Sequence, residues 1–215
     1  MLRNPVGLSY AVVALLAAVI VADAALFAAA LDVRLLMAGD LNDHPHPAGF
    51  AHMGVEAATV VQGLIGLALM VVFIIWFFRV RKNAGVFAPD LHRGGPGWAI
   101  GAWFVPVANL WWPRSVAAGT WRASRRDPYG DGKVEGESFA LLNWWWTFWT
   151  LTNLAGLFAS AVYEDANTVE GFAAGALALM VSAVVDIVAA LLAILFVRRL
   201  TSMQHAKATG MIPAA

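Results

Sequence analysis

The sequence has no cysteine. That excludes disulfides, thiolate metal sites, cysteine nucleophiles and thioether-linked haem. Charge is scarce too: 13% of the 215 residues are charged and the formal net charge is zero. Soluble domains average about 25% charged residues, so this chain falls outside their range. With no net positive charge, long-range attraction to nucleic acid has no support. There is no phosphate-binding Gly-rich lysine loop, no GxSxG, no HExxH and no dinucleotide fingerprint. No period of 20–50 residues recurs, which excludes a solenoid. A four-helix chain with no visible inverted repeat is also a poor secondary transporter on its own.

What the chain has in abundance is apolar sequence, at 60% of its residues. A bilayer is crossed by about 20 apolar residues at 1.5 Å each. Four segments meet that length, at 7–31, 57–78, 139–162 and 171–197. The first follows Arg3 and ends in small residues, which is also the outline of a signal peptide. It is longer than a usual signal core and is read as a retained helix. Of the fourteen Lys and Arg residues, all but Arg34 lie in the N-terminal stretch, the 79–138 region or the C-terminal tail. By the positive-inside rule both termini and that middle region are cytoplasmic. The expectation is an all-α integral membrane protein, built as a four-transmembrane-helix bundle. A polar His-rich loop, 32–56, lies outside and a disordered tail, 203–215, lies inside.

Between the second and third segments, Pro106 and Pro113 interrupt an apolar stretch studded with Trp98, Trp103, Trp111, Trp112 and Trp121. A crossing there would leave the following basic residues outside. The stretch 97–126 is therefore expected to be a re-entrant or interfacial helical hairpin, because irregular backbone at membrane depth needs protein or a watery cavity to cover it. Gly94, Gly95, Pro96 and Gly97 start it with a turn. Arg122, Arg125 and Arg126 are expected to face anionic lipid headgroups. The run PGWAIGAWFVPVANLWWP, then TWRAS, with WFFRVRKNA before them, resembles the signature of an actinobacterial multi-pass membrane family catalogued as a domain of unknown function. The resemblance covers roughly residues 70–125. It implies a multi-pass membrane fold and brings no activity and no catalytic residues.

Three constellations bear on function. The first is polar groups inside apolar segments: Asp23, Gln62, Ser182 and Asp186, with Asn143, Thr147, Thr150 and Asn153 at spacings of 4, 3 and 3 on one helix face. A charged group at membrane depth costs at least ~2.5–3.5 kcal/mol, which makes it a functional candidate by default. Together they suggest a polar seam inside the bundle, with Asp23 and Asp186 as catalytic candidates: one protonated carboxyl as general acid, and a second carboxylate or polar group to take the final proton. For the Asn and Thr residues, hydrogen bonding from helix to helix is the commoner meaning. The second is aromatic. Trp144, Trp145, Trp146 and Trp149 accompany the hairpin tryptophans; three in a row point around most of a helix, so at least one faces inward. A plain interfacial belt explains much of this, and an inward wall with Trp103, Trp146 and Trp149 would grip an apolar ligand or a cation. The third is His44, His46 and His52, whose imidazoles suit copper, zinc or nickel, although a polar loop is the commoner meaning of such a stretch. No other cofactor is expected.

The leading expectation is an intramembrane enzyme on an isoprenoid or lipid, of the terpene-cyclase kind, in which a buried Asp protonates a prenyl chain and aromatic faces hold the carbocation. Such an enzyme needs a pocket with an Asp at its end and aromatic walls. The alternative is a non-catalytic subunit or scaffold that docks a partner through the Trp-rich hairpin. An outer-face metal-binding protein is third.

Overall fold

In a computed structural model, residues 2–39, 48–92, 94–130 and 137–210 are described. The elements are α1 (Val6–Ala38), α2 (Ala48–Phe87), a 3-10 turn (Pro89–Leu91), α3 (Trp98–Gly101), a second 3-10 turn (Ala108–Leu110), α4 (Trp112–Ser124), α5 (Ala140–Glu164) and α6 (Val169–Ala208). No strand occurs among the described residues. Local signals set several ends. Asn4 Oδ1 accepts from the Val6 N–H at 2.9 Å and Thr168 Oγ1 from the Gly171 N–H at 3.0 Å, so polar side chains satisfy otherwise orphaned donors. Pro113 sits in the first turn of α4, where its missing N–H costs nothing.

Three helices among the described residues, Val6–Ala38, Gly49–Phe87 and Val169–Ala208, are long and apolar enough to cross a membrane. α5 has 25 residues and is not in that set. Its asparagines, threonines and tryptophans dilute an otherwise apolar segment. α1 and α2 run further than expected: Asp32–Ala38 and Ala48–Glu56, read from the sequence as loop, are helical. The tail also departs from expectation. α6 continues to Ala208, and Met203 and Gln204 are buried. Residues 211–215 lie outside the described residues.

The chain divides into two compact units. Met1–Ala14, Leu69–Trp146 and Leu192–Ala215 form one. Its core is aromatic. Phe196 stacks on Trp145 at 4.4 Å and on Trp121 at 5.7 Å, and meets Trp76 edge-on at 6.1 Å. Trp103 packs on Phe73, Phe77 and Trp146. A buried polar network runs beside the aromatics. Asn83 Nδ2 donates to Arg3 O and to Gln204 Oε1, and the Gln204 amide donates to Val80 O and Ser124 Oγ. Trp76 Nε1 donates to Thr201 Oγ1. Saturation of these groups explains why the end of α6 is ordered: unpaired, each would carry a desolvation cost of about 1–3 kcal/mol.

Leu15–Ala68 and Thr147–Leu191 form the other unit. Its core is aliphatic, around Leu26, Val33, Leu36, Val55, Ala159 and Leu179, and includes Tyr163. Small residues let its helices approach closely, as in membrane proteins generally. At Gly175 the backbone of α6 is so near α5 that a Cβ would lie 2.7 Å from the Tyr163 Cα.

Candidate functional site

In the aromatic unit, α2 turns Phe77, Val80, Arg81 and Ala84 inward at helical spacing. This places a guanidinium in the interior, with Arg81 only 5% exposed. Arg81 Nη2 donates to Gly94 O at 2.6 Å. A Cβ at Gly94 would lie 2.8 Å from Trp98 Cδ1, so a side chain there would displace the indole. Arg114 and Arg122 on α4 face the same cavity of about 430 Å³, with His92, Trp98 and Trp112 also in its walls. Arg114 Nη2 donates to Asn143 Oδ1 at 2.6 Å. Among the described residues, none of the three guanidinium groups forms an ion pair. His92 Nε2 is buried with no hydrogen-bond partner among them. Burial, then the nearby Arg81 charge, pushes the His92 imidazole below its ordinary range.

Among the described residues the walls of this cavity hold three arginines and no carboxylate. Buried charges are normally paired, since an uncompensated one costs several kcal/mol. Guanidinium forks match phosphate and carboxylate oxygens in pairs.

The other unit holds the buried carboxyls. Gln62 Nε2 donates to Asp23 Oδ1 and lies 3.4 Å from Asp186 Oδ2, so one amide bridges both acids. Asp23 is fully buried, and its Oδ2 has no hydrogen-bond partner among the described residues. Thr152 also hydrogen-bonds Asp186. Thr152 was missed in the sequence because the stripe Asn143, Thr147, Thr150, Asn153 drew attention to a different face of α5. Asn143, Thr147 and Asn153 are exposed and Thr150 half-buried. Asn153 Nδ2 donates to Trp149 O in its own helix. The face turned inward in this unit carries Thr152, Gly156, Ala159 and Tyr163, and Gly156 lies near the half-buried Ser182.

Of the tryptophans, Trp145 and Trp146 are buried while Trp144 is 59% exposed. Trp146 Nε1 donates to Leu110 O at 3.1 Å. Trp103 and Trp149 are half-buried. Trp103 and Trp146 pack in the aromatic core, and neither lines the cavity beside Arg81. Arg125 corrects an expectation. It is buried, its Nε donates to Glu137 O at 2.9 Å, and its guanidinium lies over Phe139 at 4.5 Å, so it braces the end of α4 and does not meet headgroups. Arg122 and Arg126 are exposed.

His44 and His46 fall outside the described residues. His52 Nδ1 lies 2.8 Å from Tyr163 Oη, and its Nε2 lies 3.3 Å from Glu56 Oε1. Among the described residues no group of three His, Cys, Asp or Glu could hold a metal ion. A cavity of about 220 Å³ beside His52 has walls of Val33, Leu36, Met37 and Phe172. Neither of these two cavities is lined by Asp23 or Asp186.

Fold and site together define an all-helical protein with three helices able to cross a membrane and an arginine-lined cavity beside a tryptophan-rich segment. It belongs to the family described as a domain of unknown function (DUF4328), which matches residues 39–202. No curated protein and no solved structure matches it. The two signature runs quoted above both fall in the aromatic unit: Trp76, Arg81 and Asn83 come from WFFRVRKNA, and Trp121, Arg122 and Ser124 from TWRAS.

Proposed function

We propose that this chain is a four-crossing protein of the bacterial cytoplasmic membrane that binds an anionic ligand on its cytoplasmic side. In this reading α5 is the fourth crossing. Both termini and the basic 79–138 region are cytoplasmic, and 97–126 is a re-entrant or interfacial hairpin. Its exposed tryptophans suit the headgroup level. The observation that carries the binding function is Arg81: a guanidinium 5% exposed, unpaired with any carboxylate among the described residues, at a cavity that also takes Arg114 and Arg122. At about 430 Å³ the cavity falls within the range of roughly 300–1,000 Å³ usual for ligand pockets. The test is calorimetric titration of detergent-solubilised protein with inorganic pyrophosphate. Saturation at one equivalent, weakened at least tenfold in Arg81→Gln, is expected. Absence of binding to the unaltered chain would overturn the reading.

A second reading is the intramembrane enzyme. It is favoured by the Gln62 amide that holds Asp23 and Asp186 together. Asp23 would be the general acid for protonating a prenyl chain. It ranks below the first because Trp145 packs directly on Trp146 and Phe196, and neither cavity described above is lined by Asp23 or Asp186. Turnover of an isoprenoid by the protein, abolished in Asp23→Asn, would reverse that order.

A further inference from the structure

We infer that the ligand is an amphiphile ending in a phosphate or diphosphate, with its head among Arg81, Arg114 and Arg122 and its chain on the apolar surface of residues 98–112. This rests on the anion-binding reading and adds the class of molecule.

The charge count comes first. Three guanidinium groups face the cavity with no ion pair among the described residues. A phosphodiester, with one negative charge, leaves most of that charge unmatched. A terminal phosphate carries close to two charges at neutral pH, and a diphosphate carries more and offers oxygens enough for several forks.

The size of the cavity is the second point. At about 430 Å³ it is larger than a diphosphate head needs, so the same ligand has room to carry an apolar chain towards the cavity mouth. Beside the cavity is a surface suited to receive one. Ile100 (39%), Phe104 (60%), Val107 (67%), Leu110 (48%) and Trp111 (52%) are all exposed. Large apolar patches of this kind mark ligand or membrane contacts. Trp98 and Trp112 belong to both places. They line the cavity, are partly exposed, and meet edge-to-face at 4.8 Å. A ring with an apolar face and an N–H edge suits the junction of a polar head with a hydrocarbon chain.

The backbone keeps this surface presented. Val107 has φ 64° and ψ −49°, and Ala108 N–H donates to Pro106 O at 2.7 Å. That is a γ-turn with positive φ, a strained conformation for a β-branched residue. The turn reverses the chain between α3 and the 3-10 turn Ala108–Leu110.

The experiment is competition binding on the full chain in detergent with three probes: farnesyl diphosphate, inorganic pyrophosphate and phosphatidylglycerol. Two variants are compared: Arg81→Gln, and a surface triple of Phe104→Ser, Val107→Ser and Leu110→Ser. Farnesyl diphosphate is expected to bind one equivalent at least tenfold tighter than pyrophosphate and to be displaced by it. The triple variant should keep pyrophosphate affinity and lose most of the tenfold gain. Pyrophosphate binding with no gain from the chain would overturn the amphiphile and leave the anion site standing. Phosphatidylglycerol competing as well as farnesyl diphosphate would overturn the terminal-phosphate class. If neither pyrophosphate nor farnesyl diphosphate binds, the anion site itself fails.

Discussion

Arg81 reaches across from α2 to donate to the Gly94 carbonyl at 2.6 Å, and this bond fixes a buried guanidinium at the wall of the cavity. A residue that is charged, buried and unpaired works against the stability of the empty protein. Arg81→Met should therefore leave the thermal midpoint unchanged or raise it, since replacing buried charge by apolar volume is often neutral or stabilising by ~1–4 kcal/mol. The same variant should lose anion binding. Paired thermal melts with and without pyrophosphate check both halves. A large drop in the ligand-free midpoint would mean that Arg81 is structural.

His92 gives a pH dependence. Its folded pKa is depressed, first by burial and then by the Arg81 charge. The unfolded chain takes up a proton at about 6.5. Below that pH the unfolded state binds more protons than the folded one, so stability falls with acidification until the lower folded value is passed. Above that pH His92 contributes no slope. His92→Gln should flatten the change in thermal midpoint between pH 7.5 and pH 5.5. An unchanged slope would place the proton uptake on other groups.

Gln62 holds two acids with one amide. Gln62→Leu removes the donor and leaves both carboxyls less satisfied, at a cost of about 1–3 kcal/mol for each group left unpaired. Denaturant or thermal melts should show a clear loss. A silent substitution would show that water or a cation serves these oxygens.

Gly175 faces the Tyr163 backbone where a Cβ would be 2.7 Å away. Because the obstacle is backbone, the helices must separate. Gly175→Ala should cost about 1–3 kcal/mol, the usual scale of overpacking. Gly63→Ala, where nothing lies within 4 Å of the added Cβ, is the control and should have little effect.

Helix class, the three long apolar helices and the turn after His92 were readable from apolar length and glycine placement. The side chains that make the site were harder to find, for identifiable reasons. Arg79, Arg81 and Lys82 read as one basic stop, yet Arg81 alone among them is buried, because the inward register of α2 at 77, 81 and 84 continues past the end of its apolar run. On α5 the polar stripe Asn143, Thr147, Thr150 and Asn153 is not the interior face. The interior follows small residues and Thr152 instead, since close helix packing favours small side chains over polar ones. Three consecutive tryptophans require at least one to face inward, but the stacking of Trp145 on Phe196 joins residues far apart along the chain and has no local signal. His92 carried no pattern at all; its only signal was its place just before the Gly94–Gly97 turn.

The most direct test of the anion site is an experimental map of the protein prepared with pyrophosphate. Density for the anion within hydrogen-bonding reach of Arg81, Arg114 and Arg122 is the predicted result. A saturated sample with that cavity empty, or with the anion bound elsewhere, would contradict it.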